Sequence, residues 1–111
     1  MGLFRRSSKP HKPGTVRTGG NEDLEHLRAF AGSRQGVEGY VEPATHTTAT
    51  TLVLVARDGE WTRRRIGTPK VAFDLGRELA IPVYDVAATG YPASMRAWTA
   101  ARKAAGETRA H

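Results

Sequence analysis

The chain contains no cysteine. That absence excludes disulfides, thiolate metal sites and cysteine nucleophiles together, and it fits a reducing compartment. Long apolar runs are missing as well. The longest, Leu52 to Ala56, is the length of a strand, far below the roughly 18–20 residues that span a bilayer. Histidines are few and scattered: His11, His26, His46 and His111 offer no pair at helical ligand spacing, so no metal site is expected. The opening Met1-Gly2-Leu3-Phe4-Arg5-Arg6 lacks the apolar stretch that follows the charges of a signal peptide. A twin-arginine signal fails for the same reason. A myristoylation motif would need Ser or Thr where Arg6 stands. These exclusions lead to an expected cytoplasmic location.

Acidic residues are absent from the first twenty positions, which hold Arg5, Arg6, Lys9, Lys12 and Arg17. The formal net charge of the 111-residue chain is +6. The remaining 12 basic and 11 acidic side chains nearly cancel over residues 21–111. The excess therefore belongs to the N-terminal segment, and an electrostatic function starts there rather than on the body. That segment, MGLFRRSSKPHKPGTVRTGG, has only Leu3, Phe4 and Val16 as sizeable apolar groups. It cannot bury enough surface to offset its ordering entropy, so residues 1–20 read as a disordered basic tail.

The rest of the chain reads as one α+β domain over residues 21–105, with 106–111 fraying. Leu24, Leu27, Phe30 and Ala31 recur at helical spacing between about Asn21 and Ser33, with Asn21 as N-cap and acids in the first turn. A short strand follows at Val37–Glu42 and stops at Pro43. Thr47–Arg57 is the strongest strand. Both of its faces are apolar at the centre, which points to an interior strand covered on two sides. Asp58-Gly59 predicts a hairpin turn into a third strand, Glu60–Ile66. Thr68 and Pro69 suit the N-cap and first position of a second helix running to about Ala80. A fourth strand, Ile81–Ala87, and a third helix from near Ala93 to near Ala105 complete an order α-β-β-β-α-β-α. A four-stranded sheet with helices packed on it is the natural assembly. The pattern leaves the strand order open.

Chemistry-bearing motifs are few. No serine sits in a Gly-x-Ser-x-Gly elbow. The threonines around His46 suit a β-prone stretch better than a hydroxyl beside a base. Gly67-Thr68-Pro69-Lys70 follows a strand and opens a helix but has a single glycine, matching neither a dinucleotide turn nor a phosphate-binding lysine loop. No cofactor is expected. Lys70 at that helix start is either part of a general anion site or a solvated lysine beside a capped helix.

Arg63-Arg64-Arg65 is the most unusual run of the body. On a strand these arginines either contact phosphates, with Trp61 and Tyr40 as stacking faces, or pair with carboxylates such as Glu38, Glu42 or Asp85 while Trp61 joins the core. Arg96 and Lys103, seven apart, share one face of the last helix and either extend a basic surface or reflect the cationic bias of a helix end.

Gly59-Glu60-Trp61-Thr62-Arg63-Arg64-Arg65, Pro82-Val83-Tyr84-Asp85-Val86 and Gly90-Tyr91-Pro92 with Met95, Arg96 and Trp98 resemble segments of a group of short uncharacterised proteins from high-GC bacteria. The resemblance covers roughly residues 21–103 and implies one folded bacterial domain. The oxidoreductase label sometimes attached to such sequences has no cofactor turn or redox cysteine to match it here.

Three functions are consistent with these residues. The first is a small non-enzymatic protein that binds RNA, DNA or the ribosome through Arg5, Arg6, Lys9, Lys12, Arg17, Arg63, Arg64, Arg65 and Lys70. The second is a protein-interaction module anchored by Tyr40, Trp61, Tyr91 or Trp98. The third is a small enzyme with a pocket near Tyr84, Asp85 and the start of the second helix.

Overall fold

The structure, a computed structural model, describes residues 20–106. The basic tail, apart from Gly20, and the expected frayed C-terminus, apart from Gly106, lie outside the described residues. The elements run α1 (Asn21–Ser33), β1 (Glu38–Glu42), β2 (Thr50–Val55), β3 (Trp61–Gly67), α2 (Pro69–Leu79), β4 (Val83–Asp85), α3 (Val86–Thr89) and α4 (Ala93–Ala104). The fold is α+β, with the strands in one sheet of order β3-β2-β1-β4. β1 and β3 pair antiparallel to β2, and β4 pairs parallel to β1.

The double-sided apolar pattern of β2 has the expected consequence. Leu52, Val53 and Leu54 are 0% exposed. Leu52 and Leu54 face a cluster built with Leu27 and Phe30 of α1 and Ala72 and Leu75 of α2. Val53 and Val55 face the other side and join Tyr40 and Met95, with Trp61, Val86 and Tyr91 packed around them. The sheet is therefore a middle layer, with α1 and α2 on one face and Met95 of α4 closing the other. Pairing register follows from this division, because a slip of one residue would exchange the two faces. Val41 stands opposite Leu52, and Tyr40 opposite Val53.

The chain moves from the β3 edge to the β4 edge through α2. Thr68 accepts a bond from Val71 N at 3.3 Å, as its position before Pro69 predicts. At the other end Ala80 adopts the left-handed conformation (φ 57°), and its N–H and that of Ile81 bond back to the last turn. A Cβ at Gly76 would overlap Val83, so the glycine lets α2 lie directly on β4.

Several sequence-based boundaries are corrected. The N-cap of α1 is Gly20, whose carbonyl accepts from Leu24 N at 3.1 Å, and Asn21 is already helical. β2 starts at Thr50, not Thr47, because Thr45 Oγ1 accepts from Thr47 N (3.2 Å) and Thr48 N (3.0 Å) and turns the chain there. The fourth strand is only Val83–Asp85. Asp85 Oδ1 accepts from Ala87 N at 2.9 Å and starts the short helix α3, which the strand reading had absorbed. The β2–β3 turn forms at Asp58-Gly59 as expected. Gly59 has φ 97°, and a Cβ on it would overlap the Ser94 carbonyl of α4.

Two substitutions test these backbone readings in opposite directions. Gly59→Ala is expected to destabilise by about 2 kcal/mol or more, since it adds overlap to a positive-φ penalty. Ala80→Gly is expected to stabilise by about 0.5–1 kcal/mol by relieving the left-handed alanine. Urea unfolding of both variants reads the difference. Equal midpoints for Gly59→Ala and the parent chain would contradict the close approach of α4 to this turn.

Candidate polyanion-binding surface and the Glu42 cluster

Alternation along β3 divides the arginine run between the two faces of the sheet. Arg63 stands opposite Val53, Arg64 opposite Leu52, and Arg65 opposite Thr51. Arg63 and Arg65 thus share the α4 face, while Arg64 lies on the α1 face. β3 is also an outer strand of the sheet. Charged side chains along such an edge oppose pairing with another chain, so the run has a structural use whatever it binds.

Arg63 grips Glu42 with two parallel bonds, Nε to Oε1 at 2.7 Å and Nη2 to Oε2 at 2.9 Å. Its guanidinium also lies 5.2 Å from the Trp61 ring centroid. Glu42 receives two more donors. Thr51 Oγ1 donates to Oε1 at 2.5 Å, and the Tyr91 hydroxyl donates to Oε2. The Glu42 side chain is only 16% exposed. Burial alone pushes its carboxyl up. The bonds from Arg63, Thr51 and Tyr91 outweigh that and hold it below the usual carboxylate range. Burial and the negative charge of Glu42 in turn push the Tyr91 phenol up. The cluster ties β1, β2, β3 and the 90–92 loop to one charge.

Arg64 reaches Asp23 of α1 at 3.4 Å and His26 Nδ1 at 3.3 Å. His26 Nε2 lies 2.6 Å from Thr62 Oγ1. A hydroxyl beside an imidazole resembles a nucleophile and its base, but this pair cannot act as one. Arg64 is a donor only, so Nδ1 accepts and the ring proton sits on Nε2, pointing at Thr62. That nitrogen has no lone pair to take the hydroxyl proton. Thr62 is also 1% exposed. The group joins α1 to β3.

The arginine pairing reading therefore holds for Arg63 with Glu42, while the partner of Arg64 comes from a helix. Arg65 is exposed. All three arginines, with Thr51 and residues Gly20 to Asp23, line a cavity of about 680 Å³. Gly20 is where residues 1–19 join the described chain, and Arg5, Arg6, Lys9, Lys12 and Arg17 lie outside the described residues. Lys70 is outside the cavity lining. Its side chain is exposed and pairs with Asp74 at 2.8 Å, and Arg77 pairs with the same carboxylate.

The other expected sites fare differently. Tyr40 is 6% exposed and bonds Glu38 at 2.8 Å, so it is unavailable as an interface anchor or stacking face. Trp61 is half-buried and its Nε1 donates to Thr99 at 2.8 Å. Trp98 is half-buried under Arg102, whose guanidinium lies 4.9 Å from the ring. Asp85 uses Oδ1 to cap α3. Among the described residues no group of three His, Asp or Glu gathers at a possible metal site, and no helix is long and apolar enough to cross a membrane.

Sequence reading missed the convergence of Thr51 and Tyr91 on Glu42, and the His26–Thr62 pair. Thr51 could be found from its place opposite Glu42 once the β1–β2 register is known. Tyr91 had no such signal, being 49 residues away from Glu42. Comparison of the chain with protein-family models, curated proteins and solved structures finds no match.

Replacing Glu42 by Gln is expected to cost about 1–2 kcal/mol at neutral pH, because it leaves the half-exposed Arg63 without its counter-charge. The Glu42 carboxyl titrates lower folded than unfolded. Its stabilisation is therefore complete above the unfolded carboxylate value of about 4.3 and is lost as pH falls through the lower folded value. Urea unfolding from pH 7 to pH 3 should show the two proteins converging at the acid end. A constant gap across that range would rule out Glu42 ionisation as the source.

Proposed function

We propose that this protein binds nucleic acid, RNA or DNA, as a small non-enzymatic binding protein. The observation that carries the reading is the junction at Gly20. The five cations of the N-terminal segment precede Gly20 in the chain, and Gly20 lines the same cavity as Arg63, Arg64 and Arg65. Sequence-independent attraction to phosphates needs mobile counterions to be displaced by several positive charges at once. The strand arginines are not enough alone, since Arg63 and Arg64 are already paired with Glu42 and Asp23. In this reading the two segments act together on phosphates, beside a body whose charges nearly cancel. The N-terminal cations and Arg65 contact phosphate, Arg64 exchanges its long contact with Asp23 for phosphate, and Arg63 stays with Glu42 to hold the surface.

The test compares the full chain with a full-length variant in which Arg5, Arg6, Lys9, Lys12 and Arg17 are all glutamine. Fluorescence anisotropy with labelled RNA and DNA at several salt concentrations gives the affinity and its salt slope. The parent chain is expected to bind and to weaken as salt rises. The variant should reduce the slope on single strands by up to about 3.5, near 0.7 for each phosphate contact removed. A parent chain that leaves the label free even at low salt, or an unchanged slope in the variant, would end the proposal.

A further inference from the structure

Beside α4 lies a groove of about 340 Å³ lined by Tyr91, Met95, Arg96, Thr99, Ala100 and Lys103. That volume is within the range of small-molecule and fragment sites. Arg28, Arg34, Arg63, Arg64, Lys70 and Arg77 each face a carboxylate. Among the described residues Arg96 and Lys103 have none. Exposed Arg57 faces no carboxylate either, but it stands alone, whereas this groove holds two such cations. The two cations are seven positions apart on one helix face, about 10.5 Å along the axis. Their charge is uncompensated, and no other cation lines the groove.

The groove lining suits an aromatic ligand. Buried Met95 and the small side chain of Ala100 give its lining an apolar part. Tyr91 presents half-buried ring surface, and its hydroxyl bond to Glu42 fixes the ring rather than leaving it to swing. Thr99 Oγ1 accepts from Trp61 Nε1, which leaves its own proton free to donate. An aromatic wall, one hydroxyl donor and two unpaired cations match a nucleobase with its flanking phosphates. They suit a duplex poorly, since paired and stacked bases do not expose a face to a side chain. The groove is also joined to the cavity at the tail junction. Arg63 lines that cavity and shares Glu42 with Tyr91, which lines the groove.

We propose that the α4 groove takes one unpaired base and its neighbouring phosphates, with Tyr91 stacking on the base and Arg96 and Lys103 holding the phosphates. The site makes the protein selective for single-stranded RNA or DNA over duplex. This rests on the nucleic-acid reading above.

The experiment titrates the full chain into labelled oligouridine of about twelve nucleotides and into an RNA duplex of the same length. It is repeated with the double variant Arg96→Ala, Lys103→Ala and with Tyr91→Leu. The two cations are exposed on a helix and their removal leaves the packing intact. Circular dichroism checks that Tyr91→Leu, which loses a bond to Glu42, remains folded. The parent chain should prefer the single strand. The double variant should lose single-strand affinity by about tenfold or more, with the salt slope falling by about 1.4, while duplex binding changes little. Folded Tyr91→Leu should lose about fivefold or more on the single strand alone. Equal losses on both substrates, or none, would overturn the groove while the N-terminal charges still accounted for binding. If the parent chain binds neither substrate at low salt, the nucleic-acid reading fails first and this inference with it.

Discussion

Strand β2 has no side facing water. Its last four residues, Leu52 to Val55, alternate between two apolar clusters, and each cluster needs a cover. That requirement shapes the rest of the chain. α1 and α2 can cover only one face, so α4 must return across the other, where Met95 closes the second cluster. Burial of aliphatic side chains contributes roughly 1.5–3 kcal/mol each, and β2 supplies more fully buried side chains than any other element. Uncovering either side would expose valines or leucines in the middle of the sheet.

The return of α4 has a consequence for charge. It carries Tyr91 over the sheet to the point where Arg63 and Thr51 already meet Glu42. A carboxylate on the covered side of a sheet is costly unless donors surround it. Four bonds from three residues meet that need, with Arg63 supplying two of them. The arginine run consequently does two jobs. Arg63 neutralises an internal acid and Arg64 ties α1 to the sheet edge, while Arg65 remains at the exposed border. A triplet that looks like one basic patch in linear order is split by the period of the strand into separate environments.

The distribution of positive charge then has two levels. Paired cations stabilise the body and leave it nearly neutral. Among the described residues Arg57, Arg96 and Lys103 face no carboxylate, and the last two share one face of α4. This separation keeps positive charge near the core from repelling itself, because the arginines nearest the core have fixed counter-charges.

The helical spacing of Leu24, Leu27 and Phe30, the Thr68-Pro69 helix start, the Asp58-Gly59 turn and the two-sided apolar run of β2 are local features. Each is decided by neighbours a few positions away, and each was legible from the residues. The shortened ends of β2 and β4 were less so, because Thr45 and Asp85 side chains competed with the sheet for backbone N–H groups. The site was legible only in part. Residue types and the concentration of charge in the first twenty positions stood in the sequence. Which arginine meets which acid did not, nor did the meeting of Tyr91 with Glu42 or the placing of Gly20 and Arg65 around one cavity. Those depend on strand order and on the face to which α4 returns. Linear order determined the elements, since backbone propensity and side-chain period are local. Tertiary structure alone decided the partners of the charges, because an ion pair forms over a few ångströms of space however many residues of chain lie between.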